Sequence, residues 1–459
     1  MKVLVFGLGR SGLAVSRLLL HQGHEVVAFD ERLKSEDRES LESSGGRVTL
    51  KPSNESIDLC IAAPGVPIDH PALEALRKRD IEVIGEVEWV YRSVDAPILG
   101  VTGTAGKTTT TRWLTDVLIG AGLQAVAGGN IDPALAAVAE EDTYLVTELS
   151  SFQLERCPTL KPRIATVLNL GVDHLDRHGT VEKYHQTKYA VTQNQMADDL
   201  FIYNADEPVL SEWAAKSRAR TKGFSVAGKA DARLIEHNGT THLYLDGEPL
   251  LAADDLHLSG QHQWGNALAV ALAAADLGVS REAIAKGLAD FTGVAGRYAP
   301  VATLGGVTFV EDSIATRTLS VRAALEATPY PIVWLAGGAD KGADLASLQD
   351  LVREKVTLLV GVGEAGERFA RAFEATSYVC SQKDGAAALR CACEQGLGHL
   401  RKRHTGKGTV LLAPLAASFD QFKDYKDRAE TFRQVVTQLA TREATQGDVR
   451  ESEGAWTPC

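Results

Sequence analysis

Short apolar runs alternate along the chain with longer stretches of helical period. Lys2–Phe6 is apolar, residues 11–21 repeat apolar positions at helical spacing, and Glu25–Phe29 is apolar again. The pattern predicts strand, helix, strand, with a further strand over residues 57–62 that stops at Pro64-Gly65. Continuous apolar strands separated by helices point to a parallel sheet covered by helices. This first unit is expected to end at residue 94. A second unit, residues 95–295, starts with the strand Ile98–Thr102 and continues with strands at Tyr144–Glu148, 164–168 and 200–203. Residues 232–258 break the pattern with short alternating pieces around Gly239 and Asp246-Gly247, as hairpins do. Ala-rich helical segments follow at 264–277 and 282–289, and residues 293–297 read as a hinge. A third unit, residues 296–440, carries strands at 307–310, 332–335, 358–361 and 409–412. Residues 441–459 are polar and aperiodic and are expected to form a disordered tail.

Composition narrows the class. With 44% hydrophobic residues in 459, each unit has material for a core, and the 42 glycines show no three-residue period. The net charge of −12 disfavours sequence-independent nucleic-acid binding, which needs a basic face. No run approaches the roughly 20 apolar residues of a membrane helix, and the N-terminal run breaks at Gly7. A cytoplasmic protein without membrane insertion is expected, and a monomer, since no association element stands out. The six cysteines lack C-x-x-C spacing and are expected to be reduced structural thiols.

The chemistry concentrates after the strands. Gly100-Val101-Thr102-Gly103-Thr104-Ala105-Gly106-Lys107-Thr108-Thr109 takes a buried strand through a glycine loop into a helix. Glycines let backbone N–H groups approach a phosphate, the helix N-terminus adds positive charge, Lys107 neutralises anion, and the Thr108 hydroxyl can ligate magnesium. The spacing is a variant of the usual G-x-x-x-x-G-K-[ST]. Gly7-x-Gly9-x-x-Gly12, with Asp30 ending the next strand, is a weaker dinucleotide-type signal. Glu148 ends a strand where α/β proteins place ligands, and a carboxylate there suits Mg²⁺. Asp173, His174 and Asp176 crowd a short loop, and Lys188 lies on the helix beyond. A charged lysine cannot bind a cation, whereas a CO₂-derived carbamate can.

In this order the pieces resemble the Mur ligases of peptidoglycan synthesis, and among them the D-glutamate-adding branch. The likeness runs from Gly7 to about Phe432 and includes Gly128-Gly129-Asn130-Ile131, Glu148-Leu149-Ser150-Ser151-Phe152-Gln153 and Asp173-His174-Leu175-Asp176-Arg177. It also includes Asn266-Ala267-Leu268, Ala336-Gly337-Gly338 with Lys341, and Ser418-Phe419-Asp420-Gln421-Phe422-Lys423. The resemblance implies three α/β domains: a Rossmann-like N-terminal domain, a P-loop ATPase-like central domain and a Rossmann-like C-terminal domain. It implies an ATP-dependent amide ligase joining D-glutamate to UDP-N-acetylmuramoyl-L-alanine through an acyl phosphate. Arg10, Ser11, Asp30, Arg32, Gly65, Asn130, Ser150, Gln153 and His174 would then hold the UDP precursor. Gly103, Thr104, Ala105, Gly106, Lys107, Thr108, Thr109, Asn266, Arg297 and Asp312 would hold ATP. Thr316, Lys341, Ser418, Phe419 and Tyr425 would hold glutamate. Thr108 and Glu148 would hold one Mg²⁺, and His174 with carbamylated Lys188 a second. Lys107, Lys188 and His174 are the catalytic candidates.

The chain departs from that pattern in places. Ala105 replaces the usual Asn, Ile314 the usual Lys, Arg317 the usual Asn, and Tyr425 the common Phe. The loss of a cation at Ile314 leaves two alternatives open: a related ligase using another amino acid such as L-glutamate, or a non-catalytic paralogue that binds UDP-sugar and ATP. An NAD-dependent oxidoreductase has no use for the loop at residues 103–108, and a folate-type ligase lacks a counterpart of residues 1–94.

Overall fold

A computed structural model describes residues 1–453 apart from Arg32, Ser259, Ala295, Lys341 and Glu374. Arg32 and Lys341, expected in the UDP and glutamate sites, therefore lie outside the described residues. The chain forms three sheets in two compact units. The first unit comprises Met1–His257 with Gln263–Phe291, and the second comprises Leu258–His262 with the chain from Thr292 onward.

The first unit opens with a five-stranded parallel sheet. Lys2–Phe6 is central, with Glu25–Phe29 and Arg47–Val48 on one side and Leu59–Ala62 and Glu82–Ile84 on the other. Val3, Leu4 and Val5 are fully buried, as expected of a parallel strand covered on both faces. In the nine-stranded sheet that follows, Ile98–Thr102 lies between Tyr144–Glu148 and Ile164–Val167, parallel to both. The C-terminal ends of these three strands are neighbours, so the loops after them meet at one edge, where open α/β sheets bind ligands. Ala125–Gly129 closes one side, and Leu200–Asn204 and Arg220–Ser225 extend the other. The hairpin segment adds Ala232–His237, then Thr240–Leu245 and Glu248–Ala252 as antiparallel strands. Helix Gln261–Asp276 is buried continuously from Gly265 to Ala274, which explains its lack of a polar face.

The second unit holds a six-stranded sheet in the order Ala299–Leu304, Val307–Glu311, Gly408–Leu412, Ile332–Gly337, Val356–Val362, Ser377–Val379. Only its first strand is antiparallel to its neighbour. Apolar clusters cover both faces, one around Phe309, Val333 and Phe432, the other around Trp334, Leu359 and Phe369.

Two expectations change. The last helix spans Tyr425–Glu453 and so runs through residues 441–453, read from sequence as a tail. Three glutamates and two arginines in residues 441–453 favour helix without needing an apolar face. The cysteines are not all reduced: Cys380 and Cys391 form a disulfide, while Cys60, Cys157 and Cys393 are free and buried. The turn after Ser377–Val379 leads into helix Gly385–Arg403, which returns Cys391 to a Cα separation of 6.3 Å from Cys380, within bridging range. No spacing rule signals that return.

Candidate active site

The glycine loop after Ile98–Thr102 forms a cradle. Gly103 and Gly106 have φ of 148° and 83°, and helix Lys107–Gly120 starts directly behind them. A Cβ on Gly106 would come within 2.7 Å of Asn266 Oδ1, so only glycine fits there. The loop is braced by Asn169, a residue to which the sequence assigned no role. Its Oδ1 accepts from Thr104 N at 3.0 Å and Ala105 N at 2.8 Å, and its Nδ2 donates to Ala105 O at 3.1 Å. Ala105 is therefore anchored through its backbone, and the missing Asn side chain there does not undo the loop.

Charges converge on this loop. Lys107 Nζ donates to Gly103 O at 2.9 Å and Thr104 O at 3.0 Å. Lys188 Nζ donates to Gly103 O at 2.8 Å and lies 4.6 Å from the centre of the Tyr184 ring. Lys188 is buried, and burial together with the neighbouring Lys107 charge pushes it well below the usual lysine range. Thr108 Oγ1 donates to Glu148 Oε2, and Asn130 Nδ2 donates to Glu148 Oε1 at 2.8 Å. Thr108 and Glu148 thus present adjacent hard oxygen donors, which fit Mg²⁺. His174 sits in a left-handed conformation at the start of helix Leu175–His178, its ring 4.6 Å from that of Phe152. Among the described residues no group of three or more His, Cys, Asp and Glu is placed to hold a metal by itself.

A cavity of about 430 Å³ opens in the same unit. Arg10, Ser11, Asp30, Gly65, Asn130 and Gln153 line it, together with Gly7 and Gly9. Gly12 packs so closely that a Cβ would lie 1.9 Å from Gly7 O. Asp30 Oδ2 accepts from Leu8 N at 2.7 Å, which fixes the glycine turn. Asn130 connects the two sites: its carbonyl accepts from Arg10 Nη2 at 3.3 Å while its amide holds Glu148. Ser150 is not in the lining, but its hydroxyl caps the helix that carries Gln153, and the Gln153 side chain accepts from Ser150 N at 3.0 Å. His174 is also outside the lining.

The other expected residues are in the second unit, except Asn266, which is in the first. Asp312 is buried, and desolvation, reinforced by Glu311 and opposed by Arg297, raises its carboxyl to about 8. Thr316 is half-buried, Ser418 is buried, and Phe419 is 69% exposed. Tyr425 begins the last helix. Ile314 is half-buried, and Arg317 stands at the N-cap position of helix Thr318–Ala327 without a side-chain capping bond. Arg428 was missed from sequence. It is buried, and its Nη2 donates to Ser313 O at 2.8 Å and Ala416 O at 3.3 Å. It thereby ties together the loops that bear Thr316 and Ser418.

Strand, glycine loop, lysine-headed helix and a buried acid at the end of the adjacent strand define a P-loop nucleotide-binding protein. The Mur ligase middle-domain model matches residues 101–274, and the MurD-like N-terminal-domain model matches residues 1–85. A Thermus thermophilus relative named UDP-N-acetylmuramoylalanine–D-glutamate ligase is 44% identical, covering 95% of this chain and 97% of its own. A Deinococcus radiodurans relative of the same name is 40% identical, covering 97% and 94%. Among solved structures, the UDP-N-acetylmuramate–alanine ligase of Thermotoga maritima aligns over 96% of this chain and all of its own, with a TM-score of 0.58 at 19% identity. The MurF ligase of the same organism, solved with ADP, aligns over 95% of each chain with a TM-score of 0.59 at 18% identity. These two likenesses concern the fold. The chain belongs to the Mur ligase family.

Proposed function

We propose that the protein is an ATP-dependent ligase that adds D-glutamate to UDP-N-acetylmuramoyl-L-alanine in peptidoglycan precursor synthesis. The carrying observation is the pair of relatives so named, 44% and 40% identical over nearly the whole chain. The braced loop with Lys107, Thr108 and Glu148 supports it, because an amide ligase must activate a carboxylate with ATP. In the reaction the γ-phosphoryl group passes to the L-alanine carboxylate, the glutamate amine attacks the acyl phosphate, and phosphate leaves. Lys107 and the loop N–H groups neutralise and orient the triphosphate. Arg10, Ser11, Asp30, Arg32 and Gly65 hold the uridine nucleotide, and Asn130, Ser150, Gln153 and His174 face the UDP-sugar or its attached L-alanine. Asn266 takes the adenine side of ATP, Asp312 its ribose, and Arg297 also reaches ATP. Thr316 and Lys341 take one carboxylate of glutamate, and Ser418 with Phe419 the other, beside Tyr425.

Thr108 and Glu148 would hold one Mg²⁺, and His174 with Lys188 a second. Bound there, the ions supply the charge that lets triphosphate and carboxylate approach each other. A buried lysine of lowered basicity keeps a neutral amine, which adds CO₂ to give a carbamate and a proton. A ¹³CO₂-derived carbamate carbon signal that disappears in Lys188→Ala checks this. We read the domains as residues 1–94, 95–295 and 296–440, and the protein as a cytoplasmic monomer, where ATP and nucleotide precursors are available. Among the described residues no helix is long and apolar enough to cross a membrane.

The deciding experiment is ATP- and Mg²⁺-dependent phosphate release with UDP-N-acetylmuramoyl-L-alanine and D-glutamate, L-glutamate or no amino acid. Release that requires D-glutamate supports the reading and means that Ile314 is tolerated. Release with L-glutamate alone reassigns the amino acid, and no release with either favours a binding-only paralogue.

A further inference from the structure

Residues 63–67 form one wall of the 430 Å³ pocket, which is lined by Ala63, Pro64, Gly65 and Val66. This turn follows Leu59–Ala62 of the first sheet, and Gly65 and Pro67 are exposed. Its carbonyls are held from the second sheet's side of the unit by two arginines. Arg156 Nη1 donates to Ala63 O at 3.2 Å, and its Nη2 to Val66 O at 2.7 Å and Pro67 O at 3.2 Å. Arg177 Nη1 donates to Pro64 O at 3.0 Å. Four of the five carbonyls in the turn therefore end on a guanidinium.

Arg156 is only 2% exposed and has no carboxylate among its hydrogen-bond partners. Its Nε is buried without a hydrogen-bond partner among the described residues, so the guanidinium is held by carbonyls alone at a desolvation cost. Its backbone points to what it serves. Arg156 N donates to Gln153 O at 3.0 Å, and Arg156 O accepts from Gly85 N at 2.9 Å. Arg156 thus lies three residues past Gln153 of the Ser150–Gln153 capping box, just beyond the short helix that follows the strand ending at Glu148. Gln153 lines one wall of the pocket, and the turn that Arg156 grips lines the other.

We propose that Arg156 is a positioning residue for the UDP precursor: it fixes the distance between the two walls of the pocket before the substrate arrives. Arg177 contributes the fourth carbonyl contact, and its guanidinium stacks 4.3 Å above Phe152. Without the clamp the substrate must order residues 63–67 itself, so affinity for the precursor falls while the phosphate cradle is untouched. The inference rests on the pocket being the UDP site, and the test separates the two.

The experiment measures kcat and the KM for each substrate in Arg156→Ala, Arg156→Lys and Arg10→Ala, with thermal unfolding of each. Arg156→Ala is expected to raise KM for the precursor about tenfold, with kcat and the KM for ATP changed by less than about twofold. Arg156→Lys keeps the charge but loses the planar fork, so its KM falls between the two. If Arg156→Ala does not fold, the same split is read in Arg156→Lys. An unchanged precursor KM, or equal losses for every substrate and in kcat, overturns the proposal. If Arg10→Ala raises the precursor KM and Arg156→Ala does not, the clamp alone is wrong. If Arg10→Ala has no effect either, the pocket assignment fails and the clamp with it.

Discussion

The glycine-loop cradle and the loops proposed to take the amino acid are built on different plans. The cradle is a backbone device: two glycines of positive φ, a helix start, and Asn169 bonding the backbone of Thr104 and Ala105. Its side chains, Lys107 and Lys188, already rest on its carbonyls. The second-unit loops are a side-chain device. Thr316, Ser418 and Phe419 sit on loops after Val307–Glu311 and Gly408–Leu412, and a single buried cation, Arg428, holds those loops. Phe419 remains 69% exposed. The same contrast decides what a mutation does. In the cradle most backbone bonds survive the loss of a side chain, so chemistry suffers more than structure. In the second unit the loss of Arg428 releases the loops themselves.

The largest effect should come from Lys107→Ala. It removes the cation proposed to face the triphosphate and keeps the loop's backbone bonds, so kcat for phosphate release should fall about 10³-fold with thermal stability nearly unchanged. Comparable losses of stability and activity would mean that Lys107 holds the loop rather than the nucleotide.

A pH-dependent effect follows from Glu86, which begins helix Glu86–Ser93 and is buried. Desolvation raises its carboxyl to about 7, against the hydrogen bond from Ala136 N and the charge of Arg10. The native state therefore binds more protons than the unfolded state between pH 4.5 and 7. The stability present below pH 4.5 is lost as pH rises through this window. At neutral pH and above the penalty is on the order of 3 kcal/mol. Glu86→Gln keeps an acceptor for Ala136 N and removes the titration. Relative to the parent it should gain stability steadily from pH 4.5 to 7 in denaturant unfolding. Asp312, raised to about 8, acts in the same direction, so the variant's own profile keeps a residual slope.

Arg428→Ala should cost about 2 kcal/mol, because it leaves the Ser313 and Ala416 carbonyls without their donor. It should also raise KM for D-glutamate by about tenfold while KM for ATP moves less. Arg428 is itself depressed to about 10 by burial, so a lysine in its place would be more easily neutralised and should not rescue. A glutamate KM unchanged in a folded variant would remove the side-chain half of the contrast.

What could be read in the sequence divides along the same line. Strands such as Lys2–Phe6, Ile98–Thr102 and Ile332–Gly337 are continuous apolar runs, and burial on both faces makes them so. Ala125–Gly129 and Arg220–Ser225 went unseen because one is made of small residues and the other is polar where it is exposed. Val294 and Arg297 form a bridge where the hinge was expected, and the second unit begins at Thr292. It also takes in residues 258–262, a return of the chain that no local pattern encodes. The glycine loop was legible because steric demand limits which residues can occupy it. Asn169, Arg156 and Arg428 were not, because each recognises backbone carbonyls or amides, and those are the same whatever the sequence around them.

Asn169 gives the smallest and sharpest test. Asn169→Ala removes two acceptor contacts, to Thr104 N and Ala105 N, and the donor to Ala105 O. The backbone bond from Thr104 N to Asn169 O at 3.1 Å remains. The loop should loosen without collapsing, raising KM for ATP about tenfold, or about 1.4 kcal/mol. Asn169→Asp keeps the acceptors, loses the donor and adds negative charge beside a site for anions. If the loop receives the triphosphate, Asp should therefore bind ATP more weakly than Ala, despite being the closer isostere. Nucleotide binding measured by calorimetry at two salt concentrations separates the cases, because the charge effect is screened and the lost contacts are not. An aspartate variant that matches the parent would mean that the loop N–H groups face no phosphate. A glutamate KM that rises along with that for ATP would mean that the two regions are not independent devices.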